Sequence, residues 1–187
     1  MLDTIRGAVT SLAAVLVGAV LASAALVPTA AAGGGSRPAQ LCKAGETLLF
    51  GFEMAKSAKF VAFCTNKQDD YIVYRFGTSA KTELEYPAER KGSWKQFTHV
   101  HFGEECDRKG KGDYLVFTIG ETAYSVRERC FFNDRVADDK NADTDAYQVD
   151  IEIKNTKSGK TTVLMGDEQS RAGTLALVDA RIPAREL

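Results

Sequence analysis

Tyr147-Gln148-Val149-Asp150-Ile151-Glu152-Ile153-Lys154 decides the fold class. Apolar and polar side chains alternate through all eight positions. A strand points successive side chains to opposite faces, so this period of two reads as a half-buried β-strand. Tyr147, Val149, Ile151 and Ile153 are expected to face a core. Gln148, Asp150, Glu152 and Lys154 are expected to face solvent.

The same period continues on both sides. Downstream, the turn Lys157-Ser158-Gly159-Lys160 leads into a strand from Thr161 to Met165. Upstream, Tyr114 to Ile119 and Tyr124 to Phe132 flank Gly120-Glu121-Thr122, which reads as a hairpin turn. Trp94 to Phe102 supplies another strand. Thr82-Glu83-Leu84-Glu85-Tyr86 alternates until Pro87, which cannot donate to a ladder. Asp70 to Phe76 is rich in aromatic and β-branched residues. Lys59-Phe60-Val61-Ala62-Phe63-Cys64 is almost continuously apolar, the mark of a strand buried on both faces. Leu48 to Phe52 completes the set. About nine short strands at this spacing predict an all-β fold, an antiparallel β-sandwich or β-barrel. Leu175, Val178 and Ile182 recur at helical steps and predict a short C-terminal helix ended by Pro183.

The first 32 residues have a different character. Gly7 to Val27 is uncharged and almost wholly apolar, and it follows Arg6. Ala30-Ala31-Ala32 before Gly33 fits the small-residue rule for signal-peptide cleavage. Cleavage after Ala24 is a second option, and an uncleaved membrane anchor is a third, since the run nears the ~20 residues needed to span a bilayer. The expected organisation is a signal peptide over 1–32, a flexible leader over 33–41, and one β domain over 42–187. From Gly33 onward about 155 residues remain, the size of one ordinary domain.

Export reassigns the four cysteines. Cys42, Cys64, Cys106 and Cys130 allow three pairings. An oxidising compartment favours bridges over free thiols. Cys42–Cys64 and Cys106–Cys130 are the favoured pairs, each closing a loop of roughly 20–25 residues worth about 3 kcal/mol. No C-x-x-C occurs, so a thioredoxin-like or zinc-ribbon reading lacks support. The formal net charge of -1 gives no steering toward nucleic acid or an anionic membrane. The lysines at 154, 157 and 160, and the basic residues at 108, 109 and 111, read as solvated turns.

Four stretches are candidates for chemistry. His99 and His101, the only histidines, share one face of a strand about 7 Å apart at Cα. They could hold a metal if Glu104, Glu105 or a distant carboxylate supplied a third ligand. The competing reading is an exposed polar strand face. Asp139, Asn141, Asp143 and Asp145, with Asp150 at the twelfth place, approach a calcium loop. Thr144 stands where such a loop wants glycine, and a solvated acidic turn is the competing reading. Tyr71, Tyr74, Tyr86 and Trp94 could line a binding face, or else pack within the core. Arg75, between Tyr74 and Phe76, is either a buried paired cation or a stem that snorkels to water.

Several stretches together resemble a known group. Cys42-Lys43-Ala44-Gly45-Glu46, Lys59, Cys64, Tyr74-Arg75-Phe76-Gly77 and Glu85-Tyr86-Pro87 are similar to segments of small exported β-rich proteins of Gram-negative bacteria. Gly112-Asp113-Tyr114 and the turn at Lys157–Lys160 are similar to that group too. The resemblance implies a periplasmic or secreted β domain. The group has no assigned activity, so no site is carried over.

Enzyme signatures are scarce: there is no G-x-S-x-G, S-x-x-K, H-E-x-x-H, P-loop or dinucleotide-binding glycine pattern. The expected function is therefore a non-enzymatic exported binding protein. One concrete version is an inhibitor or immunity protein that plugs a cell-envelope hydrolase with the loop 104–112 or 134–145. The alternatives are a metal-binding protein or metal-dependent hydrolase using His99 and His101, and a structural envelope protein held by its N-terminal segment. No resident cofactor is expected beyond calcium or zinc at the candidate sites. A protein partner in the cell envelope is expected, and nucleic acid is not.

Overall fold

A computed structural model describes residues 37–107, 109–132, 145–178, 180–182 and 184–186. The chain divides at Ala32/Gly33, and all described residues belong to the second unit. Among the described residues no helix is long and apolar enough to cross a membrane.

Ten strands form the domain. In chain order they are β1 (Glu46–Met54), β2 (Phe60–Asn66), β3 (Val73–Thr78), β4 (Lys81–Tyr86), β5 (Thr98–Phe102), β6 (Lys111–Ile119), β7 (Thr122–Phe132), β8 (Asp145–Asn155), β9 (Thr161–Gly173) and β10 (Arg185–Glu186). They lie in one sheet in the order β10-β5-β6-β7-β8-β9-β1-β2-β3-β4. Nine strands are antiparallel to their neighbours; the two-residue β10 runs parallel to β5. The antiparallel all-β expectation holds, and the sheet is not closed into a barrel.

The sheet turns back on itself through β9. That strand pairs with β8 from Thr161 to Met165 and with β1 from Gly166 to Gly173. The changeover falls at Gly166, where a Cβ would overlap the Phe52 ring. The two ends of the sheet then meet across a core. Tyr86 on β4 stacks on Phe117 of β6, with ring centroids 4.8 Å apart, and Tyr74 on β3 reaches the same ring at 4.8 Å. Phe50, Phe52, Phe63, Leu115, Val126, Val149 and Ile151 fill the rest.

A smaller apolar cluster covers the opposite face of β2 and β3. It holds Leu41, Phe60, Ala62, Cys64 and Val73. This explains the unbroken apolar run of β2, which is buried on both faces. The cover is the 3-10 turn Arg37–Leu41, whose Pro38 and Leu41 are buried. The leader expected to be flexible over 33–41 is thus ordered from Arg37, because burial of these two side chains and the adjacent Cys42–Cys64 bridge hold it down. Both favoured disulfides form, Cys42–Cys64 and Cys106–Cys130, closing loops of 22 and 24 residues. They fit an oxidising extracellular compartment.

Three local expectations change. Ser93–Gln96 is a 3-10 turn, so the strand expected from Trp94 begins only at Thr98. The strand expected from Asp70 begins at Val73. The C-terminal helical hint is a single 3-10 turn, Leu175–Val178, whose Leu175 and Val178 enter the core.

Arg75 is fully buried and paired. Its Nη1 and Nη2 donate to Glu46 at 2.5 and 2.9 Å, its Nε to Glu85 at 2.6 Å, and Nη1 also to the Leu41 carbonyl at 3.0 Å. The snorkelling alternative is excluded. Burial pushes the Glu46 and Glu85 carboxyls up, but the Arg75 guanidinium and the other donors outweigh it. Both are held low, Glu85 at about 2 against an ordinary 4.5. A carboxyl whose pKa is lowered by folding stabilises the fold above its unfolded pKa and loses that contribution as pH falls through its folded one. The urea midpoint is therefore expected to hold steady down to about pH 5 and to fall between about pH 4.5 and pH 2. Glu85→Gln should flatten that fall; an unchanged acid limb in the variant would contradict the assignment.

Candidate functional site

The face of β8 that builds the core also builds a pocket. In an antiparallel ladder, directly opposite residues share a face. One row across the sheet is His99, Leu115, Val126 and Ile151. It is buried and, apart from His99, apolar. The next row toward the sheet end is His101, Asp113, Glu128 and Val149. The row beyond it carries Lys111, Cys130 and Tyr147. The inner face thus passes from apolar core to charged groups within two rows.

The charged rows line a pocket of about 420 Å³. Glu104, from the loop that the Cys106–Cys130 bridge fastens to β7, and Lys111, the first residue of β6, also line it. At its wall, the buried His99 Nε2 lies 2.8 Å and the pocket-lining His101 Nδ1 3.0 Å from the same Asp113 oxygen, Oδ1. A carboxylate only accepts, so both ring nitrogens donate here. Burial raises the Asp113 carboxyl, and the hydrogen bonds from the two histidines outweigh it and hold it below the usual range. His99 is fully buried; the His101 side chain is 26% exposed and turns toward the pocket.

Glu128 is held by three donors. Arg171 of β9 pairs with Oε1, while Thr174 Oγ1 and the Leu175 amide donate to Oε2 at 2.8 and 2.7 Å. Arg171 also lies over the Tyr147 ring, 4.1 Å from its centroid. A guanidinium so placed gains from the ring quadrupole as well as from the carboxylate. The pocket wall is therefore a chain of paired charges on rigid strands.

The sequence candidates fare unevenly. His99 and His101 do share one face, and it is the inner face rather than an exposed one. The carboxylate beside them is Asp113, twelve residues from His101; Glu104 lines the same pocket, and Glu105 is exposed. Asp113 lay within a stretch that carried the resemblance, yet nothing local marked it as a partner of histidine. Glu128 and Arg171 were not foreseen. The alternation of β7 could have placed Glu128 on the inner face, but not opposite Asp113.

Asp139, Asn141 and Asp143 lie outside the described residues, as does the side chain of Asp145. Asp150 was expected to face solvent or to close a calcium loop. Instead it is fully buried, with Arg127 Nε and Arg129 Nη2 each 2.5 Å from its oxygens. Those bonds occupy the carboxylate.

The four aromatics do not form one open face. Tyr74 is buried, and Tyr86 and Trp94 pack against the main core. Tyr71 packs with the smaller cluster and donates to Glu46. Cys42, Glu46 and Cys64 also approach one another closely, but the two sulfurs are joined to each other and offer no thiolate.

No family model, curated protein or solved structure matches this chain.

Proposed function

We propose that the protein is a periplasmic or secreted binding protein without catalytic activity, and that its pocket between β5 and β9 receives a polar group of a protein partner. The N-terminal apolar run and the two bridges support export. The carrying observation is the pocket itself: charged side chains fixed by mutual pairing, opening beside a loop that a disulfide holds in place. Fixed charges cost little ordering entropy when a partner docks.

The favoured partner is a cell-envelope hydrolase, which this chain would inhibit with the loop 104–112. A pocket lined by Glu104 and Lys111 suits a partner surface that bears both signs of charge. The test is inhibition of purified peptidoglycan hydrolases. The intact protein should inhibit at least one, and reversing both charges (Glu104→Lys with Lys111→Glu) should weaken inhibition about 30-fold, the effect of ~2 kcal/mol at an interface. A wild-type protein that inhibits none and forms no complex with them would remove the reading.

A further inference from the structure

We propose that β9 takes an added strand along its open edge at residues 161–163: an extended, apolar peptide segment of a partner protein, with an acidic residue at the end that meets Lys56. The surface lies apart from the charged pocket. Arg171, which lines that pocket, stands eight residues beyond Val163 on β9, about 27 Å of extended chain.

The backbone sets the edge. β8 covers one side of β9 over residues 161–165, and β1 reaches the other side only from Gly166 onward. Two hydrogen bonds fix which groups point where. The Asn155 amide donates to the Lys160 carbonyl across the β8–β9 turn, and the Ala55 amide donates to the Met165 carbonyl from the other side. In an antiparallel pair the N–H and C=O of one residue point the same way, and successive residues alternate. Thr162 and Leu164 therefore bond toward β8, while the N–H and C=O of Thr161 and Val163 point away from it. Among the described residues no strand pairs with that edge.

Side chains give the edge its character. Natural sheets usually guard an edge with charges, proline or a covering segment. Here Val163 and Met165 are each 43% exposed, two of the three exposed large apolar side chains among the described residues. Beside them lies a cleft of about 360 Å³. Its apolar wall is Met54, Phe76 and Leu164, which belong to the main core or pack against it. A strand added beside Val163 would turn every second side chain toward this cleft. Backbone pairing gives such a complex its affinity, and pockets for alternate side chains give it specificity.

Charge identifies the occupant. The bond from Ala55 to Met165 closes the edge beyond Val163, so one end of an added strand abuts the turn at 55–59. Lys56 and Lys59 of that turn line the cleft, and among the described residues no carboxylate does. Lys59 Nζ is already 2.7 Å from Glu83, whereas Lys56 is exposed and pairs with no carboxylate among the described residues. The nearest acids of β9, Asp167 and Glu168, lie past Gly166 on the part that β1 covers. Two-fold pairing with a second copy of this chain would set that copy's Lys160 opposite Leu164, beside Lys56, cation against cation. A different protein with an acidic end suits the edge instead.

The probe is a capped, fluorescein-labelled octapeptide of alternating valine and threonine between terminal glutamates, with a control that carries terminal lysines. Fluorescence anisotropy with the intact, bridged protein reads binding, and amide hydrogen exchange reads the edge. The glutamate peptide should bind about 10-fold tighter than the lysine peptide. It should also slow exchange of the Val163 amide about 10-fold. Lys56→Glu, at an exposed site, should reverse the preference between the two peptides. Val163→Pro removes the edge amide without removing a bond to β8, and should abolish binding. The charge-reversed Glu104 and Lys111 variant should bind the peptide as the wild type does, which keeps this result separate from hydrolase inhibition. Failure of both peptides to bind, equal binding of the two, or binding that leaves the Val163 amide unprotected overturns the proposal. Protection of Val163 by rising protein concentration alone also overturns it, and assigns the edge to a second copy.

Discussion

Arg75→Ala is expected to lower unfolding stability by about 3–5 kcal/mol, the cost of leaving a buried charge network without its cation. For a domain of this size that corresponds to a melting temperature lower by roughly 10 °C. Arg75 is fully enclosed, and it is the common partner of Glu46, Glu85 and the Leu41 carbonyl. Removing it strands Glu46, whose side chain is only 5% exposed. It also removes a hydrogen bond to the segment that covers the smaller cluster. The cost should come mostly from acids left in the interior without their cation and not from lost attraction. Arg75→Met combined with Glu46→Gln and Glu85→Gln should therefore recover at least half of the loss. Urea unfolding at pH 7 measures both; a single variant within 1 kcal/mol of wild type would contradict the account.

Phe117→Ala should cost about as much, roughly 3–5 kcal/mol, by a different mechanism. Phe117 is a central ring of the contact between the two ends of the sheet. It meets Tyr74 and Tyr86 from β3 and β4, Phe97 from the segment before β5, and Tyr124 from β7. The sheet is continuous through β9 but not closed into a barrel, so packing across the core is a main contact between its two ends. A cavity at this point loosens the packing between them. The near-ultraviolet circular dichroism should weaken, while the far-ultraviolet strand signal persists at low temperature. Phe117→Leu retains most of the volume and should cost less than half as much. Equal destabilisation by the two variants would argue against a packing role.

Several separated stretches meet in space. Cys42, Glu46, Cys64, Arg75 and Glu85 come from four separated segments and form one bridge and one ion network. Together they fasten the turn over β2 and β3.

Period and spacing by themselves determined which residues form strands and which share a face. Alternation along β8 placed Val149 and Ile151 in the core, an unbroken apolar run marked β2 as buried on both sides, and the i, i+2 spacing put His99 and His101 together. These are local properties of an extended chain. What lies opposite a residue is not local. Register between β5 and β6 brought Asp113 to the histidines, register between β6 and β7 set Glu128 beside Asp113, and the return of β9 delivered Arg171. The same holds for Asp150: it sits at a polar position by alternation, and only the arginines across the ladder, 23 and 21 residues away, make its burial affordable. A side chain's face is fixed by its neighbours in sequence, whereas its partners are fixed by hydrogen bonding between segments far apart, and only the folded sheet decides that.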